Sequence, residues 1–181
     1  PGADLICIVG NVRGVERALA SGRVTSVGYP LSVNETSQRR NVGRSLEESW
    51  RDLATMQDLC DAAGVGLVVY VSMAFGNPYR ETWGPHVTAE TIQRLRDAGV
   101  TRIALADTVG TADERLVDRV LSSVSNASDL GLHLRGHGGT GGDQHRRGQL
   151  VMLGLRQQIG RQMARIAAAI VDDTATASVS T

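Results

Sequence analysis

Short apolar runs alternate along the chain with stretches in which apolar residues recur every three or four positions. The runs are Leu5 to Val9, Val24 to Val33, Val65 to Met73, Ile103 to Ala106 and Leu130 to Leu134. Each predicts a strand. The first predicted helix runs from about Asn11 to near Gly22, and a polar loop is expected from Glu35 to Arg44. Ser45 and Glu48 have the spacing of a capping box, which predicts a helix carrying Leu46, Trp50, Leu53 and Cys60 and closed by Gly64. Thr88 is the expected cap of the next helix, with Val87 and Ile92 as a hydrophobic staple. Its inner stripe is read as Ile92, Leu95 and Ala98, and its stop as Gly99. A Thr111–Glu114 capping box predicts the last helix of the series, lined by Leu116, Val117, Val120, Leu121 and Val124.

The run from Val65 to Met73 is nearly all apolar, as expected for a strand buried on both faces. Five β-α repeats predict a parallel sheet with helices outside it. Two architectures fit: a doubly wound open sheet, or part of a (β/α)8 barrel. A whole barrel typically needs about 250 residues, so 181 residues do not supply eight units. Residues 1–135 are therefore expected to form the α/β unit. Residues 136–181 read as an atypical Gly/Arg-rich tail, helical over 150–170 and frayed beyond it.

Composition narrows the function classes. Apolar residues make up 41% of the chain, enough for a core. No run approaches the roughly 18 apolar residues of a membrane span. Nineteen basic and nineteen acidic residues cancel, which argues against a general nucleic-acid binder. Every basic residue is Arg, and there are 21 Gly, a bias read as GC-rich coding. Two cysteines, Cys7 and Cys60, give no disulfide framework and fit a reducing compartment, so a cytoplasmic location is expected. No signal-peptide pattern opens the chain. It starts on Pro, so a processed, trimmed or incomplete product is expected.

In either architecture, ligand sites gather where strands end and βα loops begin. After the second run, Arg39-Arg40-Asn41 offers two forked donors suited to phosphate, against the simpler reading of a solvated loop. After the third run stand Ser72-Met73-Ala74-Phe75-Gly76-Asn77-Pro78-Tyr79, where Phe75 could cover a ligand or pack the rim. After the fourth, Asp107 in Ala106-Asp107-Thr108-Val109-Gly110 could be a ligand or catalytic carboxylate, or could bond its own backbone in an Asx-turn. On and after the fifth stand His133, Arg135 and His137; Arg135 cannot be a metal ligand, and a lone strand His is more often structural. Asn11-Val12-Arg13-Gly14 is a helix start without a glycine-rich fingerprint. Walker A, CxxC and HExxH patterns are absent.

Three of these segments, in this order, resemble the 3-hydroxy-3-methylglutaryl-CoA lyases of the metal-dependent TIM-barrel lyase and synthase superfamily. They are the stretch from Leu31 to Ser49, Tyr70-Val71-Ser72 through Pro78-Tyr79, and Ala106-Asp107-Thr108-Val109-Gly110. The helix start at Asn11 is similar as well, and the resemblance covers about Leu5 to Leu134. It implies a partial (β/α)8 barrel of about five βα units. It also implies a retro-Claisen cleavage of 3-hydroxy-3-methylglutaryl-CoA to acetoacetate and acetyl-CoA, assisted by Mg²⁺ or Mn²⁺. By the same resemblance Asp107 is the active-site aspartate with Thr108 beside it, and Ala106 replaces the motif's usual Gly. Arg40 and Asn41 match a basic–Asn pair near the acyl-CoA end. Ser72 and Phe75 are expected on the substrate. His133 matches the first His of an H-x-H metal pair, with His137 a weak second.

Several features depart from the family pattern. Arg135 stands at the second metal His, and Asn34 replaces a usual Ser. No Arg-Asp pair precedes Leu5, and neither a Gly-Gly-x-Gly-Gly-Cys-Pro loop nor a later Asn ligand follows. Cys7 and Cys60 lie elsewhere. The resemblance stops just after His133, so a truncated start and a shifted-frame tail are expected, with an incomplete metal site and little or no activity for this chain alone. The expected partner is an acyl-CoA thioester, with no nucleic acid and no membrane, and association into a homo-oligomer is left open. Two alternatives are a related aldol-type acyl-CoA lyase or synthase, and a non-catalytic acyl-CoA-binding remnant.

Overall fold

The computed structural model of the chain describes residues 5–134. The expected tail over 136–181, its helix at 150–170 and His137 lie outside the described residues. Among the described residues, five strands alternate with helices: β1 (Ile6–Ile8), α1 (Val12–Ala20), β2 (Ser26–Ser32), α2 (Glu35–Val42), α3 (Leu46–Ala62), β3 (Gly66–Ser72), α4 (Pro85–Asp97), β4 (Ile103–Ala106), α5 (Glu114–Ser122) and β5 (Gly131–His133). A single 3₁₀ turn, Ala127–Asp129, precedes β5.

The sheet decides between the two architectures. Its order is β1-β2-β3-β4-β5, and every neighbouring pair is parallel. A doubly wound sheet reverses its order partway, whereas a barrel adds each strand on the same side. The described residues therefore form part of a barrel, five strands wide.

The two faces of the sheet differ. In register, Tyr29 pairs with Val69 and then Ile103, and Leu31 with Val71 and then Leu105. All six are buried, and Leu53, Met56, Ile92, Leu95, Val117 and Val120 on α3, α4 and α5 are buried with them. Alternate residues face the other way. There Ile6 and Ile8 are 46% and 60% exposed, Val68, Tyr70 and Ala104 are half-buried, and His133 is exposed. The expectation that Val65 to Met73 is buried on both faces thus holds for one face only, because no described element covers the other.

Three helix starts differ from expectation. The loop expected from Glu35 to Arg44 contains α2, ended by Gly43 in the left-handed region (φ 70°). This helix has no apolar stripe; it buries Ser37 and Gln38 instead. The Gln38 amide oxygen accepts from the Ser32 N–H (2.7 Å), and its nitrogen donates to the Ser49 (2.7 Å) and Tyr29 (3.3 Å) hydroxyls. Thr88 is not a cap, because α4 opens three residues earlier at Pro85, whose fixed φ and missing N–H suit a first turn. Val87 consequently lies inside the helix rather than in a staple. The Thr88 hydroxyl donates to the Ala74 carbonyl (2.9 Å), Ala98 is exposed, and the inner stripe is Thr88, Ile92 and Leu95. At α5 the cap is Asp113, which accepts from the Leu116 N–H (2.7 Å); Thr111 is drawn off by Asp107 and Phe75. The Ser45–Glu48 box forms as expected, with bonds of 2.8 and 3.1 Å. No described helix is long and apolar enough to cross a membrane.

Candidate functional site

The open face and the C-terminal ends of β3, β4 and β5 form a shallow, solvent-open cavity of about 290 Å³ lined by Ile8, Pro30, Tyr70, Ser72, Ala106, Asp107, Thr108 and His133. Four expected site residues, Ser72, Asp107, Thr108 and His133, are brought together here. The strand ends impose this. Ala106 pairs with His133 in register, so Asp107 leaves β4 beside the end of β5, and its N–H donates to the His133 carbonyl (2.9 Å).

Asp107 is 2% exposed. Its Oδ1 accepts from the Thr111 N–H (2.9 Å) and its Oδ2 from the Ala112 N–H (3.3 Å). The carboxylate therefore shapes the β4–α5 loop, and Asp107 is among the residues that line the cavity. Each oxygen keeps a further lone pair for a ligand. The Thr108 hydroxyl accepts from the Met73 N–H (2.9 Å). Met73 has φ 60°, a left-handed conformation for a residue with a side chain. Such strain costs about 1–3 kcal/mol and persists where neighbours enforce it. Thr108 is one such neighbour, tying the end of β4 to the turn that follows Ser72. The Ser72 carbonyl, in turn, accepts from the Val33 N–H (3.1 Å).

The other expected residues lie elsewhere. Phe75 is buried at 2% exposure and does not line the cavity; its carbonyl accepts from the Thr111 hydroxyl (3.3 Å). Arg40 and Asn41 are exposed on the last turn of α2, and the Arg40 guanidinium lies 5.2 Å from the centre of the Tyr79 ring. Arg39 pairs with Glu35 (2.6 Å). A second tie joins α2 to the same β3–α4 loop, since Glu81 accepts from the Thr36 N–H at the start of α2 (3.1 Å). Bonds from Thr36 hold the Glu81 carboxyl below its ordinary range.

Ile8, Pro30 and Tyr70 belong to the cavity without having been singled out from the sequence. The usable signal was period two: Tyr70 precedes Ser72 by two positions and shares its face. The Tyr70 and His133 rings meet edge-on, 6.2 Å apart at 88°.

A divalent ion is implied by the resemblance noted above, and the described donors do not complete a site for one. No group of three His, Cys, Asp or Glu side chains that could hold a metal occurs among the described residues. Among the described residues, His133 is the one imidazole lining the cavity.

No family model matches the chain. It is 32% identical over 124 residues to the mouse protein named hydroxymethylglutaryl-CoA lyase, mitochondrial, an alignment covering 68% of this chain and 38% of that protein. The chain thus spans well under half the length of that relative. The solved Bacillus subtilis HMG-CoA lyase superposes with a TM-score of 0.68 and 26% identity, covering 81% of this chain and 50% of that one. An Acinetobacter baumannii HMG-CoA lyase, solved with coenzyme A and 3-methylmalate, superposes with a TM-score of 0.64 at 22% identity, covering 81% of this chain and 48% of that one.

Proposed function

We propose, from the premise that this chain is a homologue of the hydroxymethylglutaryl-CoA lyases, that its described residues build one side of a groove for an acyl-CoA thioester. The reaction class is carbon–carbon cleavage of a 3-hydroxy-3-methylglutaryl thioester. One observation carries this reading: a buried carboxylate, two hydroxyls and an imidazole converge at the ends of three adjacent strands in a chain of this ancestry.

Such cleavage moves the proton of the tertiary hydroxyl to a base. The bond pair between the two carbons passes to the thioester side as an enolate while the hydroxyl carbon becomes a ketone. A proton then returns to the enolate carbon, giving acetoacetate and acetyl-CoA. In our reading Asp107 accepts from the substrate hydroxyl, with Thr108 and Ser72 beside it. His133 faces the same oxygens from β5. Arg40, with Asn41, meets the phosphate-bearing end of the thioester at the rim, and Phe75 supports the turn that carries Ser72. Mg²⁺ or Mn²⁺ would polarise the substrate oxygens when bound, and His133 is the described residue suited to ligate it. Cys7 and Cys60 are both free thiols, which supports a reducing compartment such as the cytoplasm.

The incomplete donor set favours binding with little turnover for this chain alone. The test is acetoacetate release from 3-hydroxy-3-methylglutaryl-CoA by the purified chain, with and without Mn²⁺, beside a calorimetric titration with the same thioester. Saturable binding with turnover near background is expected. Robust metal-dependent release would overturn the incomplete-site reading. Absence of binding would overturn the acyl-CoA reading itself.

A further inference from the structure

The open face of the sheet carries one large ring on a floor of small residues. Around Tyr70 the floor consists of Gly28, Pro30, Ala104, Ala106 and Gly131. Gly131 itself sits tight, since a Cβ there would lie 3.1 Å from the Ala104 Cβ. The register makes Gly28 the neighbour of Ile8 on one side and of Val68 on the other, while Tyr70 stands one step beyond Val68 on the same face. The Tyr70 ring therefore leans back across β2 at Gly28. A Cβ at position 28 would overlap the Ile8 Cδ1 and would lie 2.9 Å from the Tyr70 Cε2, closer than real Cβ atoms approach. Ile8 and Tyr70 thus close together over the one position of β2 that has no side chain. From that resting place the ring meets His133 edge-on at 6.2 Å. His133 is exposed on β5, the last strand in the order of the described sheet.

We propose that Gly28 is a positioning residue for this site. Its missing side chain lets the Tyr70 ring settle across β2, and the settled ring sets the orientation of the His133 imidazole in the cavity. Gly28 is not a lining residue of that cavity, and it reaches His133 through the Tyr70 ring. The bearing on catalysis rests on the acyl-CoA reading above, but the geometry does not.

The test is therefore made without substrate or metal. The ring-proton resonances of His133 in the full chain are recorded by NMR at one fixed pH and assigned among the four histidines with His133→Gln. Tyr70→Leu defines the signals of His133 without the tyrosine ring current. Gly28→Ala is expected to move the wild-type signals toward those of Tyr70→Leu, with an unchanged circular dichroism spectrum. Should Gly28→Ala reduce the yield of folded chain, Ile8→Ala/Gly28→Ala is compared with Ile8→Ala. The severest overlap is then gone but the approach to Tyr70 remains, so the His133 signals should still move. Wild-type His133 signals in Gly28→Ala, or identical spectra for that second pair, would overturn the proposal. So would a Tyr70→Leu spectrum indistinguishable from wild type. None of these outcomes depends on thioester binding, which the titration described above measures separately.

Discussion

The two faces of the sheet are built on opposite principles. The helix-covered face stacks Tyr29, Leu31, Val69, Val71, Ile103 and Leu105, large residues buried together under α3, α4 and α5. The open face stacks Gly28, Pro30, Ala104, Ala106 and Gly131 around Tyr70, beside the exposed Ile6 and Ile8, and the cavity at its end takes in Ser72, Asp107 and His133. Non-directional apolar burial dominates on the first face. On the second, position dominates, since small residues leave room and a few polar groups gather at the strand ends. Stability should therefore reside on one face and ligand chemistry on the other, although both are read from alternate positions of the same strands.

The largest expected effect separates the faces. Leu105→Ala removes a fully buried side chain from the covered face and should cost about 2–5 kcal/mol. Ile8→Ala, at an exposed position of the open face, should stay within about 0.5 kcal/mol. Urea unfolding of the two variants checks the contrast; equal losses would dissolve it. Next comes the polar exception on the covered face. Gln38→Ala leaves the Ser32 N–H without its partner and removes the Ser49 and Tyr29 bonds, so a loss of about 1–3 kcal/mol is expected by the same measurement.

A smaller effect concerns the tie between the start of α2 and the β3–α4 loop. The Glu81 carboxyl is held below its ordinary range by bonds from Thr36. Its contribution is therefore present above the unfolded-state pKa and is lost as pH falls through the lower folded-state value. The Thr36 amide resonance should shift over that acid range in the wild type and stay flat in Glu81→Gln. Smallest is Arg40→Ala. It should leave unfolding unchanged and weaken thioester binding several-fold if the rim meets phosphate, as a calorimetric titration would show.

How legible each part was follows from the same contrast. The covered face announces itself in apolar runs, and the Ser45–Glu48 box marks the start of α3 without ambiguity. Helix α2 was hidden because its buried face is Ser37 and Gln38, which hydropathy reads as loop. Thr88 and Thr111 resembled caps, but Pro85 and Asp113 outcompete them: proline is preformed for the first turn, and Thr111 is bound by Asp107. Asp107, Thr108 and His133 stood out through motifs at strand ends. Tyr70, Ile8 and Pro30 did not. Their shared face depends on inter-strand register, which apolar runs alone leave undefined.

The central claim is that the open face binds an acyl-CoA thioester through the cavity at Ser72, Asp107 and His133. The most direct measurement is calorimetric titration of 3-hydroxy-3-methylglutaryl-CoA into the wild-type chain and into Ser72→Trp, which fills the cavity from its rim. The account predicts saturable binding to the wild type and at least a roughly tenfold loss, about 1.4 kcal/mol, in the variant. Equal affinity in the two folded proteins would contradict it.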